Sequence, residues 1–186
     1  MDPNLVERAR TGDERAFEAL AVTWHPRLFQ VAHGILRDAA LAEDATQRAC
    51  LEAWRWLPRL DEPEHVDGWA VGHLVQACRS LEAVQPDDEE QDESTEPFVP
   101  YATEPLGAFV DRDQLSRGFR QLDFDDRAVL VLRLLAEMDE EDVGVALGLK
   151  ADAVGAQVES ALEALDGLLD GDAAPASELT PQMEGA

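Results

Sequence analysis

The chain has few of the groups that metal sites and membrane segments require. Its 186 residues include two cysteines, Cys50 and Cys78, and neither stands in a CxxC or Cys/His ligand spacing. No run of about eighteen apolar residues occurs, and no basic start precedes an apolar segment. The sequence therefore predicts a cytoplasmic protein without a membrane partner, whose cysteines are reduced and structural.

The patterns typical of enzymes are also missing. We find no paired nucleophile and base, no glycine-rich phosphate loop and no carboxylate spacing that indicates a metal site. The four histidines are scattered, and each is better explained by a helix surface or core edge than by a ligand set: His25, His33, His65 and His73. We therefore predict no enzymatic activity, no cofactor and no metal.

Positive charge is scarce throughout the chain. Fifteen residues are Lys or Arg and forty are Asp or Glu, so the formal net charge is −25. Lys150 is the single lysine, and neither Lys nor Arg follows it. Proteins that bind DNA normally neutralise its phosphates with Lys and Arg. The acid excess therefore counts against a broad DNA-binding surface.

Helical periodicity is the strongest pattern present, and it is clearest between Leu41 and Pro58. Apolar residues recur there every four positions, with two neighbours widening the stripe: Ala45, Ala49, Ala53 and Leu57, then Cys50 and Trp54. The other face carries charges of alternating sign at pairing distance: Asp44, Arg48, Glu52 and Arg55. Pro58 is expected to end the helix, because its ring disfavours an α conformation at Leu57. By periodicity alone, this is one amphipathic helix of a small bundle.

The same reasoning predicts the other helices of an N-terminal domain, residues 1–83. Helices are expected over Asp2–Thr11 and Asp13–Val22, and Pro26 is expected to open a separate one. A loop at residues 61–67 precedes a further helix over Val66–Ala83.

Residues 84–105 differ sharply in composition from what precedes them. Residues 81–105 contain nine acids and no base, together with four prolines. Such a segment cannot bury enough apolar surface to offset its chain entropy. We predict an extended, flexible acidic linker.

A second small helical domain is predicted at residues 106–170, followed by a disordered tail at 171–186. Its first helix is indicated by apolar residues at helical spacing: Phe109, Leu115, Phe119 and Leu122. Asp123 to Asp126 offer N-cap groups for the next helix. A short helix to Leu147, a turn at Gly148 and a final helix over Asp152–Leu169 follow helix-turn-helix order. The predicted fold class is therefore all-α.

The order of residues within these helices resembles a known family. Ala42-Glu43-Asp44, Gln47 and Trp54 resemble the AED-x-x-Q segment, with its downstream Trp, of sigma-70-family transcription factors of the extracytoplasmic-function type. Ala45-Thr46 stand where the family has an aliphatic pair. The resemblance implies a region 2-like bundle and a region 4-like helix-turn-helix domain, with core RNA polymerase as partner. It also implies a polymerase-docking set: Glu43, Asp44, Gln47, Arg48 and Trp54.

The resemblance implies DNA-contact positions as well. Three fall in the helix that reads the minus-ten promoter element: Trp69, Gln76 and Arg79. The recognition helix of the second domain supplies six more: Asp152, Ala153, Gly155, Ala156, Gln157 and Ser160. The family has Gly-Thr at the first two of these positions, Lys-Ser-Arg at the next three and a basic residue at the sixth. This chain has no Lys or Arg at any of the six, so the basic side chains that would contact DNA are missing. Carboxylates at this face should repel the phosphates of a major groove.

Three functions remain open from the sequence. The first is a transcription initiation factor that binds core RNA polymerase and directs it to promoters. The second is a sigma-like protein that binds an anti-sigma factor or the polymerase without reading DNA. The third is an acidic mimic of nucleic acid that blocks a basic groove. Docking motifs favour the first, and weak or lost DNA contact by the second domain favours the second.

Overall fold

The computed structural model describes residues 1–84 and 112–172, which form two groups of four α-helices with no strand among them. The first group comprises α1 Pro3–Arg10, α2 Glu14–Leu36, α3 Ala39–Trp56 and α4 Val66–Glu82. The second comprises α5 Arg112–Gln121, α6 Phe124–Leu130, α7 Glu140–Leu147 and α8 Ala151–Asp172. Short 3₁₀ turns, Leu57–Arg59 and Pro63–His65, join α3 to α4. The predicted all-α class is confirmed.

The predicted break before Pro26 is wrong, because α2 runs through it without interruption. Buried residues on both sides of the proline keep one helical phase: Ala16, Leu20, Trp24, Leu28, Val31 and Ile35. Pro26 and the preceding turn at Val22 lie on the exposed side. The hydrogen bond that proline cannot make is therefore lost where water can replace it. Burial of the long stripe outweighs the local preference for a helix start.

The core of the first group is built from the predicted stripes. Ala45, Ala49, Ala53 and Leu57 are all buried, as are Leu20 and Leu74 opposite them. The two residues predicted to widen this stripe are less buried, since Cys50 is half-buried and Trp54 is 38% exposed. The Trp24 indole Nε1 donates a 2.8 Å hydrogen bond to Asp67 Oδ1 and so fastens α2 to the start of α4.

Asp13 shows why an aspartate stands before α2. Its carboxylate accepts hydrogen bonds from the backbone amides of Arg15 and Ala16, both at 3.1 Å. It also pairs with Arg8 of α1 at 2.5 Å. The Arg8 hydrogen bond is the main reason that the pKa of Asp13 is lowered. One side chain thus caps α2 and holds α1 against it.

The second group follows the predicted helix-turn-helix order. Gly148 has φ 69° and ends α7 in the left-handed conformation that glycine tolerates. Asp139 caps α7 by accepting from the Asp142 amide at 2.8 Å. Asp123 occupies the N-cap position of α6, but its side chain makes no capping hydrogen bond, so that part of the prediction is wrong. A π-helical turn, Val131–Leu135, extends α6.

Several predictions fall on residues that the structure does not describe. The acidic linker at 84–105 lies outside the described residues except at its first residue, and Phe109 lies outside them too. The tail at 171–186 lies outside them except at its first two residues. The limits of the two predicted domains therefore stay predictions. Within the described ranges, no helix combines the length and the apolar character needed to cross a membrane.

The two cysteines give a test of the core. Burial raises the pKa of the Cys78 thiol to about 12, and burial and the nearby Glu43 raise the pKa of the half-buried Cys50. Because the thiolate is the reactive form, iodoacetamide at pH 8 is expected to label Cys78 only after denaturation. Mass spectrometry of the native and unfolded protein checks this. Labelling of Cys78 at the rate of a free thiol in the native state would contradict the position of α4.

Candidate functional site

The outward face of α3 carries four of the five predicted docking residues as two internal pairs. Arg48 contacts Asp44 through Nε at 3.0 Å and through a second nitrogen at 2.7 Å. The Gln47 amide donates to Glu43 Oε1 at 2.9 Å. Gln47 and Arg48 are exposed, whereas Glu43 and Asp44 are half-buried. The predicted pairing along this face is confirmed, and it orders polar groups that a partner could meet.

An apolar groove of about 890 Å³ lies between α2 and α3, beside this polar face. Trp54, the fifth predicted residue, lies against Phe17, with ring centroids 4.6 Å apart. Val22 and Leu51 are each 69% exposed although both are large and apolar. The full lining is Glu14, Phe17, Glu18, Ala21, Val22, His25, Pro26, Gln47, Cys50, Leu51 and Trp54. Exposed apolar surface of this kind, with a polar rim, is typical of a protein-binding site.

The charge of the rim is acidic. Glu14 and Glu18 line the groove and are exposed. His25, which also lines the groove, has its Nε2 atom 3.6 Å from Glu43 Oε1. A partner that fits the groove should therefore present an apolar strip flanked by basic side chains.

Sequence reasoning missed Val22, and it did not assign Leu51 or Phe17 to a site. The sequence did contain a signal for Val22 and Leu51. Val22 and Leu51 fall outside the buried stripes of α2 and α3, so each is apolar on a face that should be polar. Two such residues on neighbouring helices indicate a shared exposed patch, but their adjacency depends on how the helices pack.

The three predicted minus-ten residues are spread along α4 and do not form one free surface. Gln76 is exposed. Trp69 is half-buried and stacks edge-on against His73, with centroids 4.6 Å apart. Arg79 forms an ion pair with Asp125 of the second group, and its guanidinium lies 4.4 Å from the centroid of the Phe124 ring. Two of the three are therefore engaged within the protein.

The six recognition-helix positions on α8 differ in exposure. Four are exposed: Asp152, Ala153, Ala156 and Ser160. Gly155 and Gln157 are half-buried, and the Gln157 amide donates to Asp126 Oδ1 at 2.8 Å. The prediction of an acidic outward face on α8 is confirmed, because the four predicted carboxylates are all exposed: Asp152, Glu159, Glu163 and Asp166. Within Ala151–Asp172 no Lys or Arg offsets them.

Across the described ranges, no three His, Cys, Asp or Glu side chains lie close enough together to hold a metal ion.

Comparison with known proteins finds one matching family model and several similar proteins. Residues 20–81, which include most of α2, all of α3 and most of α4, match the family model described as Sigma-70 region 2. The RNA polymerase sigma-H factor of Pseudomonas aeruginosa is 27% identical over 182 residues, covering 89% of this chain and 92% of that protein.

Two solved structures share the fold. CnrH, in complex with the cytosolic domain of CnrY, matches 92% of this chain and 98% of its own, with TM-score 0.67 and 23% identity. The sigma factor RpoE of Bartonella quintana, in complex with the anti-sigma factor NepR, matches 84% of this chain and 98% of its own, with TM-score 0.60 and 19% identity.

Proposed function

Because the chain belongs to the sigma-70 family, of the extracytoplasmic-function type, we propose that it binds core RNA polymerase through the α2–α3 groove and directs the polymerase to promoters. Family membership assigns it to bacterial transcription initiation. One observation carries the finer proposal. Gln47 and Trp54, taken as docking residues from the sequence, line an exposed apolar groove together with Leu51.

The groove suits a helical partner. An amphipathic helix binds such a site by laying its apolar face along it. Phe17 and Trp54 form an aromatic floor, and aromatic residues in apolar pockets supply much of the binding energy of protein interfaces. The Asp44–Arg48 and Glu43–Gln47 pairs beside the groove fix the orientation of the bound helix through polar contacts.

A second function is favoured by the face of α8. Its exposed positions carry acids where DNA phosphates would lie, so the second group of helices should contact promoter DNA weakly or not at all. The similar structures CnrH and RpoE are complexes with CnrY and with an anti-sigma factor. A protein that binds an anti-sigma factor, with polymerase binding retained and promoter reading reduced, is therefore the second candidate.

Capture of core RNA polymerase tests the docking proposal. Leu51→Asp places a charge inside the groove, where a bound helix would desolvate it. We expect polymerase binding to weaken by about tenfold or more, since about 1.4 kcal/mol suffices for that factor. Affinity is measured with labelled full-length protein and purified core enzyme.

Val84→Asp is the matched control, because Val84 is 81% exposed and lies outside the groove. It should bind polymerase as well as the parent. Exchanging the pair, with Asp44→Arg and Arg48→Asp, keeps an ion pair on α3 and reverses its charges. Loss of binding in this variant identifies the pair as a contact surface. Equal capture of the Leu51→Asp variant and the parent would refute docking at the groove.

A further inference from the structure

Three arginines, from the end of α2, from α5 and from α6, lie close together. Arg37, the residue that follows α2, donates from Nη2 to Ser116 Oγ of α5 at 2.9 Å. Arg120 lies one helical turn after Ser116, so both are on the same face of α5. Arg127 of α6 donates from Nη1 to the Arg120 carbonyl oxygen at 3.3 Å. We call Arg37, Arg120 and Arg127 the arginine cluster.

The arginine cluster holds positive charge where water screens it poorly. Arg37 and Arg127 are each 6% exposed, whereas Arg120 is exposed. Burial, followed by the charges of Arg120 and Arg127, lowers the pKa of Arg37 to about 10. Like charges disfavour one another in such a setting, so carboxylates brought to the cluster stabilise it.

The backbone at Arg37 indicates that its side chain has a use there. Arg37 has φ 59° and ends α2 in the left-handed conformation. Glycine is the usual residue at such a helix end, because it adopts this conformation without steric cost. The contacts of the Arg37 side chain must therefore offset the strain of its backbone.

The chain leaves and re-enters the described structure beside the arginine cluster. Glu82, the last residue of α4, pairs with Arg127, and the described residues stop two positions later. They resume at Arg112, the first residue of the helix that carries Arg120. Residues 85–111 therefore have both ends beside the cluster.

Residues 87–93 carry charge of the sign that the cluster attracts. Six of these seven residues are acids: Asp87, Asp88, Glu89, Glu90, Asp92 and Glu93. The first acid lies five residues after Glu82, and five extended residues span about 17 Å, which is about three turns of an α-helix. A segment joined to its site at both ends also binds at a high effective concentration.

We infer that residues 87–93 dock on the arginine cluster, with their carboxylates paired to Arg37, Arg120 and Arg127. The occupant of this surface is thus the chain's own acidic segment, and its docking joins the ends of α2 and α4 to α5 and α6. The extended linker predicted from composition is then limited to residues 94–105. The docking is independent of any contact with polymerase or DNA.

Zero-length cross-linking of the full-length chain tests the docking. Arg120→Lys keeps the charge of an exposed cluster position and supplies an amine, which a carbodiimide couples to a carboxylate in direct contact. We expect position 120 to be linked to acids of residues 87–93 at several-fold the yield found for Lys150. Lys150 is the control within the same sample, because it is exposed before α8 and outside the cluster. Mass spectrometry with fragmentation identifies the linked carboxylate.

The cross-links also identify any other occupant of the cluster. Links from position 120 to residues 87–93 that are no more frequent than those from Lys150 overturn the docking. Links to acids of residues 171–186 in their place overturn it as well, because they assign the cluster to another segment. Links between isotope-labelled and unlabelled molecules in a mixed sample would assign the contact to a second copy of the chain, which also contradicts docking within one chain.

Removing charge from the acidic segment gives a second measurement that changes no residue of a described helix. The test variant replaces four consecutive carboxylates with amides: Asp87→Asn, Asp88→Asn, Glu89→Gln and Glu90→Gln. The control makes the same change in net charge at four exposed positions of α8: Asp152→Asn, Glu159→Gln, Glu163→Gln and Asp166→Asn.

The two variants relieve the general repulsion of a chain with net charge −25 equally, but only the first loses ion pairs to the arginine cluster. We expect its Tm at low ionic strength to lie about 2–4 °C below that of the α8 control. The difference should shrink as salt is added, because salt screens the ion pairs. A Tm equal to or above that of the α8 control at low ionic strength overturns the docking.

Discussion

Replacing Ala153, Ala156 and Ser160 with Lys, Arg and Arg is expected to give the full-length chain an affinity for duplex DNA that the parent lacks. All three positions are exposed on α8, on a face that otherwise presents carboxylates. Each cation that meets a phosphate releases a counterion, which steepens the dependence of log K on log salt by about 0.9. Three such contacts should therefore make the slope of log K against log salt steeper by about 2.7.

Fluorescence anisotropy with a labelled duplex between low and physiological salt measures this slope. Asn4→Lys, Thr23→Arg and Gln30→Arg together form the control, because they add the same charge at exposed positions of the first group. If the control gains as much as the α8 variant, the effect is net charge and α8 is not placed as a recognition helix. Tight, sequence-selective binding by the parent would mean that DNA is read elsewhere on the chain.

The positions chosen for the added cations on α8 could not be taken from the family pattern alone. Gly155 and Gln157 match basic family positions, and sequence alone makes them contact residues. In the structure Gln157 is held by Asp126, and Gly155 lies beside the Glu140 carboxylate, 3.9 Å from its would-be Cβ. Cations at these two positions would first meet acids of the same chain, so they are poorer sites for restoring DNA contact than Ala153 and Ala156.

Features set by local spacing could be predicted from the sequence. The alanine stripe of α3 is buried and its charges pair, because both depend only on the 3.6-residue period. The turn at Gly148 could be predicted for a similar reason, since few residues besides glycine accept a left-handed backbone at a helix end.

Features set by contacts between distant segments could not be predicted from the sequence. The course of α2 through Pro26 depends on burial against α3 and α4, which no local rule includes. The stripe predicts that Trp54 lies at the core, yet Trp54 packs on Phe17 of another helix and is 38% exposed. Gly68 and Gly72 lie four residues apart on one face of α4, but only the position of α7 shows what this spacing accommodates.

Loss of Trp24 should be the most damaging single truncation among the tryptophans. Trp24 is 3% exposed, contacts Phe17 edge-on with ring centroids 6.2 Å apart, and bonds to Asp67 across 43 residues of chain. Removing a buried Trp leaves a large cavity, because the surrounding side chains relax only partly. It also leaves the Asp67 carboxylate without its indole donor at the start of α4.

We therefore expect Trp24→Ala to lower the free energy of unfolding by roughly 3–5 kcal/mol in urea denaturation of the full-length chain. Trp56→Ala is the matched control: Trp56 is 38% exposed and contacts Glu52 and Arg59 at the surface, so its loss should cost about 1 kcal/mol or less. Trp24→Phe keeps most of the buried ring and removes the hydrogen bond, which separates the two contributions. Equal losses for Trp24→Ala and Trp56→Ala would contradict the packing of α2 against α4, since only the first ring lies between helices in this arrangement.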